Sequence, residues 1–102
     1  MFYYVYVLKS EKDHQLYVGK TKDLRKRFKE HNDGRVLATK GRRPFVLVYY
    51  EAFSNTTDCS REELYLKSGI GRESLKHRLS NLDIINDNWR GARVVERASL
   101  EN

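Results

Sequence analysis

At 102 residues, 39% of them hydrophobic, the chain has room for one domain with a single core and none for a second. One cysteine, Cys59, excludes an internal disulfide and a cysteine-based zinc site and fits a reducing cytoplasm, and no apolar run is long enough to span a bilayer. The net charge of +6 is unevenly placed, with +7 between Lys20 and Arg43 and −1 over the remainder. Such a confined basic excess is a footprint for a polyanion. Nucleic acid suits it better than membrane, because no bulky apolar insertion residues accompany it; the plain alternative is a solvated basic face.

In chain order, Phe2 to Leu8 is an apolar and aromatic run with strand preference, Glu11 to Gln15 a polar reversal, and Leu16 to Gly19 a second short strand. This is a hairpin. Gly19 is expected to close the second strand where the backbone turns, and Thr21 or Asp23 to cap a helix that places Leu24 and Phe28 on the core. On that helix Arg27 and His31 are four residues apart and share a face, with His31 beside the apolar stripe. Tyr4 and Tyr6 in the first strand and Tyr17 in the second bring phenols, a guanidinium and an imidazole toward one spot, and phosphodiester chemistry uses such groups.

Thr39 to Pro44 reads as a turn-rich connection and Phe45 to Phe53 as a third strand, with Pro44 suited to its start. Lys40, Arg42 and Arg43 at its entrance are placed for phosphate contacts, or are merely solvated; Tyr49 and Tyr50 read as packing residues. Asp58 to Ser68 has helical character with Gly69 as a stop. Cys59, Glu63, Leu66 and Ile70 project onto one face of it, so Glu63 interrupts an apolar stripe. A carboxylate there needs a cation: Lys67 or an arginine in an ion pair, or a bound Mg²⁺. Gly71 to Leu82 forms a shorter helix with Leu75, Leu79 and Leu82 inward and Arg72, Lys76 and Arg78 outward. His77 and His14 read as surface residues. The polar segment 83–102 either docks on the domain or is partly disordered. The pattern predicts an α+β domain over residues 1–82, a three-stranded antiparallel sheet flanked by helices.

Tyr4-Val5-Tyr6, ten intervening residues, Tyr17-Val18-Gly19 and an Arg-x-x-x-His helix at 27–31 resemble the GIY-YIG nuclease domain, in its small single-domain bacterial branch. The likeness continues through RRPFVLVYYEAF and REELYLKSGIGRESLKHRL, so it spans about Phe2 to Leu79. The first tripeptide departs from the family name, with Tyr4 in place of glycine, and valine replaces isoleucine in both.

The resemblance implies a layered GIY-YIG-like fold and a Mg²⁺-dependent (or Mn²⁺-dependent) endonuclease acting on DNA. By that implication Tyr17 is the general base toward water and Tyr6 orients the water or the phosphate. Arg27 stabilises the phosphorane-like charge, and His31 hydrogen-bonds within the network. Glu63, four residues before the lysine of the YLKSG segment, matches the metal-binding glutamate. A phenol acting as base at neutral pH needs cations beside it, and Lys20, Arg25, Arg27 and the metal are the sources. Relatives carry a late polar residue near the site, for which Asn81, Asn86 and Asn88 are the candidates. With no attached recognition domain, the expected specificity is weak or directed by DNA structure, or is supplied by a targeting protein. The competing reading is a non-catalytic nucleic-acid-binding module on the same fold.

Overall fold

The computed structural model describes residues 1–80. The C-terminal extension, Leu82 and the three candidate asparagines therefore lie outside the described residues. Strand β1 (Tyr3–Ser10) pairs antiparallel with β2 (Leu16–Thr21) on one side and with β3 (Phe45–Phe53) on the other, giving the order β2-β1-β3. Helix α1 (Leu24–Asn32) and a short 3-10 helix (Leu37–Arg42) connect β2 to β3, and α2 (Thr56–Lys67) and α3 (Gly69–Arg78) follow β3. The expected three-stranded antiparallel sheet flanked by helices is the observed architecture.

Why β1 is central follows from its composition, because residues on both of its faces are apolar and each face needs a cover. Val5 and Val7 join Val18, Val48, Cys59, Leu66 and Leu75 in a core under α2 and α3. Tyr6 and Leu8 join Leu24, Phe45 and Leu47 in a second core under α1, with Tyr4, Tyr17, Phe28 and Tyr50 packed against it. The result is three layers, helix on sheet on helix pair.

Caps set the helix ends. Asp23 accepts from Lys26 N and starts α1, settling the choice between it and Thr21. Asn55 accepts from Asp58 N, so α2 begins at Thr56, two residues earlier than the sequence pattern placed it. Ser68 ends α2, and its side chain then accepts from Gly71 N to start α3, so Gly69 opens a helix where a stop was expected. That break turns the chain between Leu66, which is fully buried, and Ile70, which is 75% exposed. Ile70 therefore leaves the stripe on which a single continuous helix would have placed it. The connection read as a turn is ordered by the 3-10 helix, and Phe2 is half exposed ahead of β1.

Candidate active site at the β2 edge

Gly19 lies inside β2 directly opposite Tyr6, not at its turn. Its role is space. A Cβ built there would strike the Tyr6 hydroxyl and sit 2.6 Å from Tyr6 Cζ, so the missing side chain lets the Tyr6 ring lie flat across β2 toward the free edge of the sheet.

The Tyr6 hydroxyl is 2.8 Å from His31 Nε2, and His31 Nδ1 is 2.8 Å from Thr39 Oγ1. All three residues are buried, His31 and Thr39 completely. His31 is thus inside the α1-side core and not at its border. Burial, and secondarily the Arg27 charge, pull the imidazole down to about 4, so it is neutral at physiological pH. Burial likewise pushes the Tyr6 phenol up to about 12 against the hydrogen bond from Arg27, and the Tyr17 and Glu63 charges push the same way. One set of protonation states satisfies every member: Thr39 donates to Val36 O at 3.4 Å, His31 Nδ1–H donates to Thr39, Tyr6 O–H donates to Nε2, and Arg27 donates to the phenol oxygen. Tyr6 is therefore a fixed, protonated phenol.

Arg27 is anchored on its other side by Glu30, with Nη1 3.0 Å from Oε1. Tyr17 is half-buried in ring contacts, 5.1 Å from the His31 centroid and 6.5 Å from that of Tyr6. Glu63 approaches from α2, on the other face of the sheet, with its side chain 13% exposed. Lys67 Nζ is 3.0 Å from Glu63 Oε2 and Lys20 Nζ 4.0 Å from Oε1. Of the cations the sequence allowed for Glu63, Lys67 is thus in place, joined by Lys20 from β2. Lys20 also donates to Ser60 Oγ at 2.7 Å and lines, with Arg27, Lys22 and Lys26, a depression of 330 Å³. It is the link between the two faces. Arg25 is exposed on α1.

The other expected phosphate ligands sit elsewhere. Arg42 Nε donates to Asp13 Oδ2 in the hairpin turn at 2.8 Å, and its guanidinium stacks 5.7 Å above the Phe45 ring. That bond holds the Asp13 carboxyl down at about 2. Arg43 donates to Lys40 O at 3.0 Å and lies beneath Gly34, whose φ of 81 and lack of a Cβ make room for it. These contacts brace the hairpin and the 3-10 helix.

Among the described residues no three His, Cys, Asp or Glu side chains cluster to hold a metal. Glu63 brings a hard oxygen donor to the sheet edge, which fits Mg²⁺, an ion that commonly takes one or two carboxylates and fills its shell with water and substrate phosphate oxygens.

Thr39 is a site residue with no sequence signal, since it lies in a basic, turn-rich segment and meets His31 only through the tertiary fold. Thr39→Val is expected to strand the buried Nδ1–H and cost about 2 kcal/mol, with Thr39→Ser close to wild type. Urea denaturation gives the stability and long-range ¹⁵N–¹H spectra the His31 tautomer. A valine variant within about 0.5 kcal/mol of wild type would remove Thr39 from the network.

Fold and site together define a small α+β domain with a polar chain of Tyr6, His31, Thr39 and Arg27, and with a carboxylate, Glu63, paired with Lys20 of the edge strand. The chain belongs to the GIY-YIG catalytic domain family, whose model matches residues 2–76. It is 40% identical over 87 residues to a UPF0213 protein of Clostridium perfringens, covering 84% of this chain and 91% of the relative. A UPF0213 protein of Staphylococcus haemolyticus is 41% identical over 75 residues, 72% of this chain and 90% of the relative. The solution structure of a UPF0213 protein from Bacillus halodurans is 37% identical, with a TM-score of 0.47, covering 74% of this chain and 82% of that one. A GIY-YIG domain suggests nuclease activity, implies DNA as substrate and is typically dependent on a divalent metal. No helix among the described residues is long and apolar enough to cross a membrane.

Proposed function

We propose that the protein is a metal-dependent endonuclease that hydrolyses DNA phosphodiester bonds, using Mg²⁺ or Mn²⁺, with weak or structure-directed specificity unless a partner protein supplies targeting. The observation that carries this reading is that Tyr6, Arg27 and His31 form one hydrogen-bonded set over Gly19, while Glu63 on α2 is close enough for its charge to act on the Tyr6 phenol and is paired with Lys20 of the same strand as Gly19.

Each group has a task suited to its surroundings. Arg27, fixed by Glu30, offers guanidinium N–H groups to the oxygens that gain charge as the phosphate becomes five-coordinate. Tyr6, pushed up to about 12, stays protonated and serves as an orienting hydroxyl, not as a base. His31 accepts the Tyr6 proton and so fixes that hydroxyl's direction. Tyr17 is left as the group to receive the proton of the attacking water. Glu63 would hold the metal, which when bound stabilises charge on the departing 3′ oxygen. Lys20 and Lys67, now paired with Glu63, would turn toward phosphate as the carboxylate is engaged. Lys40, Arg25, Arg42 and Arg43 are peripheral phosphate contacts in this reading.

The Glu63–Lys67 ion pair specifically favours a second reading, a nucleic-acid-binding module without catalysis, because it satisfies the carboxylate with no metal. One experiment separates them. Supercoiled, single-stranded and branched DNA are incubated with the protein in Mg²⁺ or chelator, beside folded Glu63→Gln and Tyr17→Phe variants. The nuclease reading expects Mg²⁺-dependent cutting that falls by at least a hundredfold in both variants. Salt-sensitive binding without cutting, unchanged by either substitution, would instead establish the binding module.

A further inference from the structure

Around the β2 strand from Tyr17, on the sheet face covered by α2 and α3, the hairpin turn and α3 enclose an open cleft of 540 Å³. Its walls include Lys9, His14, Gln15, Leu16, Arg72 and Lys76. We propose that this cleft binds the sugar-phosphate backbone of the nucleic acid a few nucleotides from the bond that is cut. The inference rests on the nuclease reading above and adds to it the strand path.

Charge is the first argument. Three lysine or arginine side chains and a histidine face the cleft, and among the described residues no carboxylate lines it. The acidic neighbour of Lys76 is Glu73 at 3.8 Å, with both side chains more than 70% exposed, a pair too solvated to neutralise the wall. Leu16 and Leu79 give the floor its apolar part, against which a deoxyribose packs, and Gln15 and Ser80 add hydrogen-bonding groups.

Position is the second argument. Leu16 and Gly19 are three residues apart on one strand, about 10 Å at the rise of a β-strand. Successive phosphates of one DNA strand advance about 3.4 Å along the duplex axis, so the cleft lies about three nucleotides from the site at Gly19. Cations thus border both ends of β2: Lys20, Lys22 and Lys26 beside Thr21, and Lys9, Arg72 and Lys76 beside Leu16. A polyanion crossing the site meets both groups. An acidic patch on a protein partner would explain only one.

The test compares Arg72→Glu/Lys76→Glu with Lys29→Glu/Arg61→Glu, a pair of equally exposed cations away from the cleft that carries the same change in net charge. Anisotropy of labelled 8-bp and 30-bp duplexes is followed between 50 and 200 mM salt, and cleavage of both is measured in Mg²⁺. The cleft pair should bind the long duplex at least tenfold more weakly than the control pair at 100 mM salt, and lower the salt slope by about two. The 8-bp duplex, long enough to reach a cleft about three nucleotides from a central cut, should show the same loss. If wild type binds and cuts DNA but the two charge reversals behave alike, the cleft is not on the strand path, and an acidic protein becomes its candidate partner. If wild type neither binds nor cuts DNA, the nuclease reading falls and this inference with it. Circular dichroism and melting of both pairs report folding.

Discussion

Gly19→Ala is expected to lower stability by about 3 kcal/mol and to cut phosphodiester hydrolysis about a hundredfold or more, although the added group is a single methyl. The reason is what stands opposite. The new Cβ would lie 2.6 Å from Tyr6 Cζ and 3.1 Å from Cε2, and Tyr6 is only 1% exposed within a packed core. The ring must swing away, so His31 Nε2 loses its donor in a buried site and Arg27 loses the hydroxyl it holds. Overpacking costs about 1–3 kcal/mol and a stranded buried polar group about as much again. Tyr6→Phe should not rescue the alanine, because Cζ remains in the way. Gly41→Ala is the control, since a Cβ there meets nothing within 4 Å. It should change stability by about 0.5 kcal/mol or less. Melting curves and cleavage rates of the two alanine variants decide the matter: a Gly19→Ala protein that melts and cuts like Gly41→Ala would mean that Tyr6 has another resting place.

How far the site was legible depends on how local each signal is. The motif pairs Tyr6 with Gly19 in sequence, and the glycine's local meaning was a turn. Its actual meaning, room for a facing ring, appears only with the hairpin register that sets Tyr6 against Gly19. Glu63 was legible as a carboxylate out of place in an apolar stripe. Lys67 four residues on was a local partner, but Lys20 comes from a strand forty-three positions away and joins only when α2 crosses β2. Thr39 could not be read at all. Arg42 and Arg43, read as phosphate contacts or solvated residues, also bond to Asp13 and to Lys40 O, contacts that depend on the hairpin turn meeting the 3-10 helix and so have no local signal.

The fold was the more legible part because its signals are repeated. Each apolar or aromatic residue of the runs Phe2 to Leu8 and Phe45 to Phe53 argues for a strand, so no single ambiguity can undo the assignment. The failures fall at helix ends. Ser68 both terminates α2 and caps α3, and a periodic projection run through it carries Ile70 onto a face it does not share. Capping is decided by one hydrogen bond, whereas periodicity sums over many residues, and the sum hides the break.

Stability between pH 4 and 8 should be set by two groups pulling in opposite directions, the buried His31 and the half-buried Glu51. His31 is held down at about 4 against 6.5 in the unfolded chain, so its contribution is complete above pH 6.5. Below that the unfolded imidazole takes a proton that the folded one refuses, and about 3 kcal/mol is lost by pH 4. Glu51 has the opposite sign. Burial and a hydrogen bond with Glu62 push its carboxyl up to about 7 against a hydrogen bond with Tyr49, and its Oε1 is without a hydrogen-bond partner of good geometry among the described residues. The folded state then holds a proton that the unfolded state releases near 4.5, and stability is shed as pH rises from 4.5 to about 7. Across the shared window the two slopes oppose, so the wild-type profile is flatter than either group alone would make it. Glu51→Gln removes one of them. Its urea-denaturation stability should climb by about 3 kcal/mol from pH 4 to 7, and at pH 8 it should exceed that of wild type. His31→Gln, if folded, leaves the other and should lose stability as pH rises over the same range. A Glu51→Gln profile parallel to wild type at every pH would show that Glu51 is ionised in the folded protein and that Arg78, which contacts Glu62 and the Tyr49 hydroxyl, satisfies both carboxylates.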